Sequence, residues 1–149
     1  MPLRDDIETQ FTQAMKAKDA EKVSALRMLR AALKNHAIEK MTKELSGEQV
    51  IEIVAREVKK LKDSLSDFEK AGREELAAAA RREIATLSAF LPRQLSDDEI
   101  RAAVKAKAAA LGLSGEAAYG RLMGEAMKDL KGRADGAAVG RIVKEVLAT

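Results

Sequence analysis

Between Ile51 and Phe68 the apolar positions Ile51, Val54, Val58, Leu61, Leu65 and Phe68 fall in alternating steps of three and four. Only an α-helix lays residues so spaced along one face, so the stretch has one economical way to bury its apolar surface. Similar spacing recurs along the chain, and no run of alternating β-branched residues appears, so the expected fold is all-α. Two prolines and nine glycines in 149 residues leave few breaks. Alanine and long charged side chains, both abundant here, lose little on entering a helix. Aromatics are limited to Phe11, Phe68, Phe90 and Tyr119. The cores must therefore be filled by Leu, Ile, Val, Met and Ala, which lets helices approach closely.

Caps and stops divide this pattern into seven helices. The first runs through Leu3, Ile7, Phe11, Ala14 and Met15, with acids in its first turn and Lys16 and Lys18 at its end. Asp19 can cap the second, whose face comprises Val23, Leu26, Leu29, Leu33 and Ala37, with Met28 and Ala32 widening the stripe. Ser46 followed by Gln49 is a capping-box signal for the third, which Gly72 closes. Leu76, Ala80, Ile84, Leu87 and Leu91 define a fourth, stopped near Pro92 because that ring disfavours α geometry in the residue before it. Leu91 to Leu95 reads as a linker, and Ser96 with Glu99 repeats the capping box for a fifth helix ending by Gly112. Tyr119, Leu122, Met123, Ala126, Met127 and Leu130 mark the sixth; Val139, Ile142, Val143 and Val146 mark the seventh. The expected organisation is an N-terminal four-helix bundle-like domain over residues 1–92 and a small three-helix domain over 93–149. At about 55 residues the second lies near the lower limit of independent stability.

Chemistry is sparse. With no cysteine there is no disulfide, thiolate metal site or thiol nucleophile, and a single histidine, His36, cannot build a relay or a metal site alone. No Gly-rich phosphate loop, nucleophile elbow or metal-ligand spacing is present. The expectation is no catalytic residue, no metal and no cofactor. Asp5, Asp6 and Glu8 fit neither a secretory signal nor a transit peptide, and no segment is apolar enough to span a bilayer, so a cytoplasmic protein without membrane contact is expected. A formal charge of +3 from interspersed signs permits contact with a polyanion without demanding it.

Two local features stand out in the C-terminal third. Lys131-Gly132-Arg133-Ala134-Asp135-Gly136 reads as a tight helix-to-helix turn: Gly132 can take the positive φ that closes one helix, and Asp135 can accept from the free N–H groups of the next. Lys128, Lys131, Arg133, Arg141 and Lys144 can form a basic surface around it, suited to phosphates. Because Asp129, Asp135 and Glu145 interrupt the run, the plainer reading is a solvated mixed face. Gly120 and Gly124, beside Met123 and Met127, read as tight packing or as an adaptable binding surface, packing being the commoner reason for interior glycines. Arg27, Arg30 and Lys34 on the second helix, and Arg56, Lys59 and Lys60 on the third, are further basic groups without interleaved aromatics.

Five stretches in order carry a family resemblance: Ala25 to Arg30, Phe68 to Arg73, Phe90 to Ser96, Met123-Gly124, and Lys131 to Gly136. Together they resemble the YqeY family, also called GatB/YqeY-domain proteins, over essentially the whole chain. The resemblance implies a helical bundle followed by a small three-helix domain. It also implies kinship with the C-terminal tail of the GatB component of aspartyl/glutamyl-tRNA amidotransferase, where the similar domain helps hold tRNA, and with a module appended to some glutaminyl-tRNA synthetases. Carbon–nitrogen ligase activity with glutamine as amido-N-donor belongs, on this resemblance, to the associated pathway; the large catalytic portion of the amidotransferase component is missing here. The expected role is therefore a non-catalytic accessory protein that binds tRNA through Lys128, Lys131, Arg133, Arg141 and Lys144. The alternative is a helical adaptor docking on an aminoacyl-tRNA synthetase or amidotransferase through an apolar face.

Overall fold

The computed structural model describes residues 3–149, and among these there are seven α-helices and no strand. Helices α1 (Leu3–Lys16), α2 (Ala20–Glu39), α3 (Gly47–Lys70) and α4 (Glu74–Ser88) belong to a unit that reaches Leu91. Helices α5 (Asp97–Leu111), α6 (Tyr119–Leu130) and α7 (Gly136–Leu147) belong to a second, Pro92–Thr149, with a turn of 3-10 helix at Glu116–Ala118 leading into α6.

In the first unit the capping signals act as the sequence leads one to expect. Asp19 Oδ1 accepts from the backbone N–H of Lys22 at 3.1 Å, and Ser46 and Gln49 make both halves of a capping box. The face of α2 made by Leu26, Leu29, Leu33 and Ala37 is buried with Ile7 and Phe11 of α1 and with Val50, Val54 and Val58 of α3. Three expected core positions fall outside. Met15 is 54% exposed, Met28 is 56% exposed and Leu76 is 40% exposed. Met28 lies on the far side of α2 from the Leu26–Leu29–Leu33 row. On α4 the buried positions are Ala77, Ala80 and Leu87, and the two alanines suit the extensive pairing of α3 with α4, which favours side chains that stop at Cβ.

Four helices close in the same way. After α3, Gly72 N–H reaches Glu69 O and Arg73 N–H reaches Phe68 O, with Gly72 at φ +70°; Gly112 and Leu113 repeat the pattern after α5. These are Schellman motifs, in which one left-handed residue turns the chain so that it satisfies the last carbonyls. After α1 and α2 the left-handed residues are Lys18 and Met41, at φ +56° and +54°, closed by Asp19 N–H to Ala14 O and Thr42 N–H to Ala37 O. A β-carbon at such a φ costs energy that glycine avoids, so both closures carry local strain.

In the second unit two cross-helix ion pairs fix direction. Asp97 pairs with Arg141 at 2.9 Å, and Arg101 pairs with Glu145. Each joins positions 44 apart in sequence, so α5 and α7 run parallel. Lys107 of α5 meets Asp129 of α6 at 2.7 Å. Each pair is open to solvent on its acidic side and adds little stability; the pairs set register around a core of Ile100, Val104, Leu122, Val139, Ile142 and Val143. Each fully buried Leu, Ile or Val there contributes about 1.5–3 kcal/mol, which is why this small unit can hold its shape.

Candidate nucleic-acid interface

The turn between α6 and α7 is a type II β-turn over residues 130–133. Lys131 sits at φ −56°, ψ 127°, Gly132 at φ +79°, and Arg133 N–H donates to Leu130 O at 2.9 Å. Type II geometry requires a positive φ at the third position, which explains glycine at 132. Asp135 adopts the extended backbone of a helix N-cap, and its carbonyl accepts from Val139 N–H at 3.0 Å. Its carboxylate, against expectation, bonds to none of the N–H groups of α7. Asp135 and Ala137 are exposed, and water can satisfy donors at an exposed helix start.

The connector before α5 belongs to the same substructure. Gln94 Nε2 donates to Gly132 O and to Pro92 O, both at 2.8 Å, and Leu95 N–H donates to Arg133 O at 2.8 Å. Expected to be a linker, this stretch is pinned to the turn from Gln94 onward, because the turn's outward carbonyls need donors that no helix supplies. Arg93 adds a two-pronged pair to Glu99, at 3.0 and 2.8 Å, while Glu99 also completes the capping box with Ser96. Those bonds hold the Glu99 carboxyl well below its ordinary range, at about 2, the Arg93 hydrogen bond being the largest cause and the Ser96 backbone N–H the next.

The five cations singled out in sequence take three different settings. Lys131 and Arg133 are exposed at the turn. Lys128 pairs with Glu125 one turn back on α6 at 3.1 Å. Arg141 and Lys144 flank a shallow groove of about 590 Å³ along the outer face of α7, whose floor is Gly136, Ala137 and Gly140 and whose wall is Tyr119. Arg141 and Lys144 are thus brought together, whereas Lys128, Lys131 and Arg133 do not line that groove.

Tyr119 is the groove residue that sequence reasoning assigned to the core alone. A β-carbon at Gly140 would stand 2.9 Å from the Tyr119 hydroxyl, so glycine at 140 is what admits the ring to this position. The Lys144 ammonium lies 5.7 Å from the ring centroid, within range of a cation–π contact. Tyr119 and Met123 both face Gly140 once α6 and α7 are folded antiparallel, a relationship that no spacing along either helix announces. Glu145 also lines the groove, but Arg101 grips its carboxylate from α5, and that hydrogen bonding holds it below the usual carboxylate range.

Gly120 and Gly124 are exposed, and nothing lies within 4 Å of a β-carbon built on either. The packing expected of them is absent, since both lie on the side of α6 turned away from its own core. Met123 and Met127, by contrast, are partly buried against that core.

Of the other basic groups, Lys34 and Lys59 are exposed, and the rest are engaged within the first unit. Arg30 pairs with Glu8 at 2.9 Å and lies 4.2 Å from the Phe11 ring centroid, with Arg27 at 5.8 Å; Arg56 pairs with Glu52 and Lys60 with Glu57. His36 is partly buried and lines a depression of about 350 Å³ with Met28, Asn35 and Arg56. Among the described residues no three His, Cys, Asp or Glu side chains are grouped to hold a metal ion, and no helix is long and apolar enough to cross a membrane.

No curated protein matches the chain. The family described as Yqey-like protein matches residues 4–147, from the first turn of α1 to the last residue of α7. The chain belongs to the YqeY-like family.

Proposed function

We propose that the C-terminal unit binds structured RNA, tRNA in particular, through the phosphate backbone, and that the protein is a non-catalytic accessory of tRNA-dependent amide transfer or aminoacylation. The observation that carries this reading is the division of side chains around α6 and the turn. Lys131 and Arg133 are exposed, while Met123 and Met127 pack inward. A protein-docking face would present the apolar groups; an RNA-binding face presents the cations, because phosphate contacts supply most of the attraction. The kinship with the amidotransferase tail domain that the resemblance implies supports the same reading. Filter binding of unfractionated tRNA to the full chain across a salt series tests it. Binding at low salt that weakens as Lys131→Ala and Arg133→Ala are introduced is expected; absence of binding at low salt would refute it.

Docking on a synthetase or amidotransferase has one observation in its favour. Met28 and Ile38 on α2 and Met41 just after it are 56%, 63% and 93% exposed. Recovery of a synthetase or amidotransferase component by the native chain, lost in Met28→Glu and Ile38→Glu variants, would support this second reading.

A further inference from the structure

The groove on α7 differs from the turn in what surrounds its charges. Its two cations stand one helical turn apart, Arg141 beside Lys144, with the Tyr119 hydroxyl against the same wall. Arg141 engages Asp97 through Nη2 alone, in a pair whose members are more than half exposed, so its other donors remain available and the pair is easily diverted. Lys144 contacts the Tyr119 ring and, among the described residues, pairs with no carboxylate. The one acid on the lining, Glu145, is neutralised from outside by Arg101. A second depression of about 400 Å³ continues past Tyr119 and Lys144 toward Leu147 and Ala148, but Glu116 stands there. The end of the groove that favours an anion is therefore the one bounded by Gly140, Arg141 and Lys144.

We infer that this Tyr119–Arg141–Lys144 groove seats a phosphodiester of the RNA backbone, a proposal that rests on the RNA-binding reading above and assigns it a specific contact point. The fit is chemical. A guanidinium, an ammonium and a phenol O–H are donors to phosphate oxygens, and the absence of a side chain at Gly136, with open space around it, lets a backbone come close. No aromatic face is required for base stacking, so the contact reads shape and charge and leaves sequence unread.

The protein carries its own reporter for this contact. Tyr119 is the single tyrosine and there is no tryptophan, so intrinsic emission reports on the groove alone. The full chain is titrated with tRNA and, separately, with inorganic phosphate, following tyrosine emission corrected for absorbance, with filter binding in parallel. The expected result is a saturable emission change whose midpoint matches the filter-binding Kd. Lys144→Ala should weaken tRNA binding roughly tenfold at low salt and reduce the salt slope by about one. Gly140→Ala, which drives a β-carbon against the Tyr119 hydroxyl, should weaken binding while leaving that slope nearly unchanged. If tRNA binds without an emission change, and Lys144→Ala and Gly140→Ala bind as the parent does, the groove is not the seat and the broader RNA-binding reading survives. An emission response to inorganic phosphate with none to tRNA overturns the RNA assignment of the groove. No tRNA binding by either measurement overturns both readings.

Discussion

The side-chain amide of Gln94 donates a 2.8 Å hydrogen bond to the carbonyl of Gly132, tying the entry of the C-terminal unit to its most distinctive turn. Two of the stretches that carry the family resemblance, one around Gln94 and one around Gly132, are thereby parts of one substructure. Gly132 is buried, so a carbonyl deprived of this partner is left poorly satisfied. Gln94→Ala should cost about 1 kcal/mol in chemical denaturation of the full chain. Gly132→Ala, forced to a positive φ, should cost roughly 1–2 kcal/mol.

Glu99 links the capping box of α5 to Arg93, and its carboxyl is held at about 2 against an ordinary 4.5. A carboxyl whose folded pKa is depressed stabilises the fold fully above the unfolded value, and that contribution fades as pH falls through the folded one. Stability should therefore decline between about pH 4.5 and pH 2 as this group protonates. NMR titration of the Glu99 carboxyl in Arg93→Ala should show its midpoint moving up toward the ordinary value, since the Arg93 hydrogen bond is the largest cause of the shift.

Met41 holds a left-handed conformation at φ +54° with its side chain 93% exposed, so replacing it removes strain and sacrifices almost no contact. Met41→Gly should raise stability by about 0.5–1 kcal/mol, the relief of the β-carbon penalty outweighing glycine's larger unfolded-state entropy. Denaturation midpoints of the two proteins decide it.

Three of the four glycines on α6 and α7 should respond differently to alanine. Gly124 is exposed in mid-helix with open space around a β-carbon, so Gly124→Ala should gain up to about 1 kcal/mol. Gly140→Ala should show none of that gain, because its β-carbon would meet the Tyr119 hydroxyl at 2.9 Å. Gly120 shares the open surroundings of Gly124, but it sits at the second position of α6, where helix propensity counts for less.

The helices were legible because their signals are local. Ser46 with Gln49, Ser96 with Glu99, Asp19, Gly72 and Gly112 each act within one turn of the residues they cap or stop. Faces were legible only approximately, since periodicity marks a stripe without saying how close the neighbour comes. Ala77 took the place expected of Leu76 for that reason, and Met28 fell outside the core. The groove on α7 was illegible because it depends on Tyr119, Gly140 and Lys144 being brought together by the α6–α7 pairing, and no spacing along either helix encodes it. Likewise, the engagement of Arg141 with Asp97 and of Glu145 with Arg101 follows from the parallel register of α5 and α7. The five cations that look equivalent in sequence are therefore not equivalent in the fold.

The central claim is that the C-terminal unit, through its exposed cations, is what holds tRNA. The most direct measurement is the salt dependence of tRNA affinity in two charge-reversal variants of the full chain. One carries Lys131→Glu with Arg133→Glu at the turn; the other carries Lys59→Glu with Lys62→Glu on exposed positions of α3. The account predicts that the first loses affinity and about two units of slope in log K against log salt, while the second stays close to the parent. Equal losses in both variants, or no loss in the first, would contradict it.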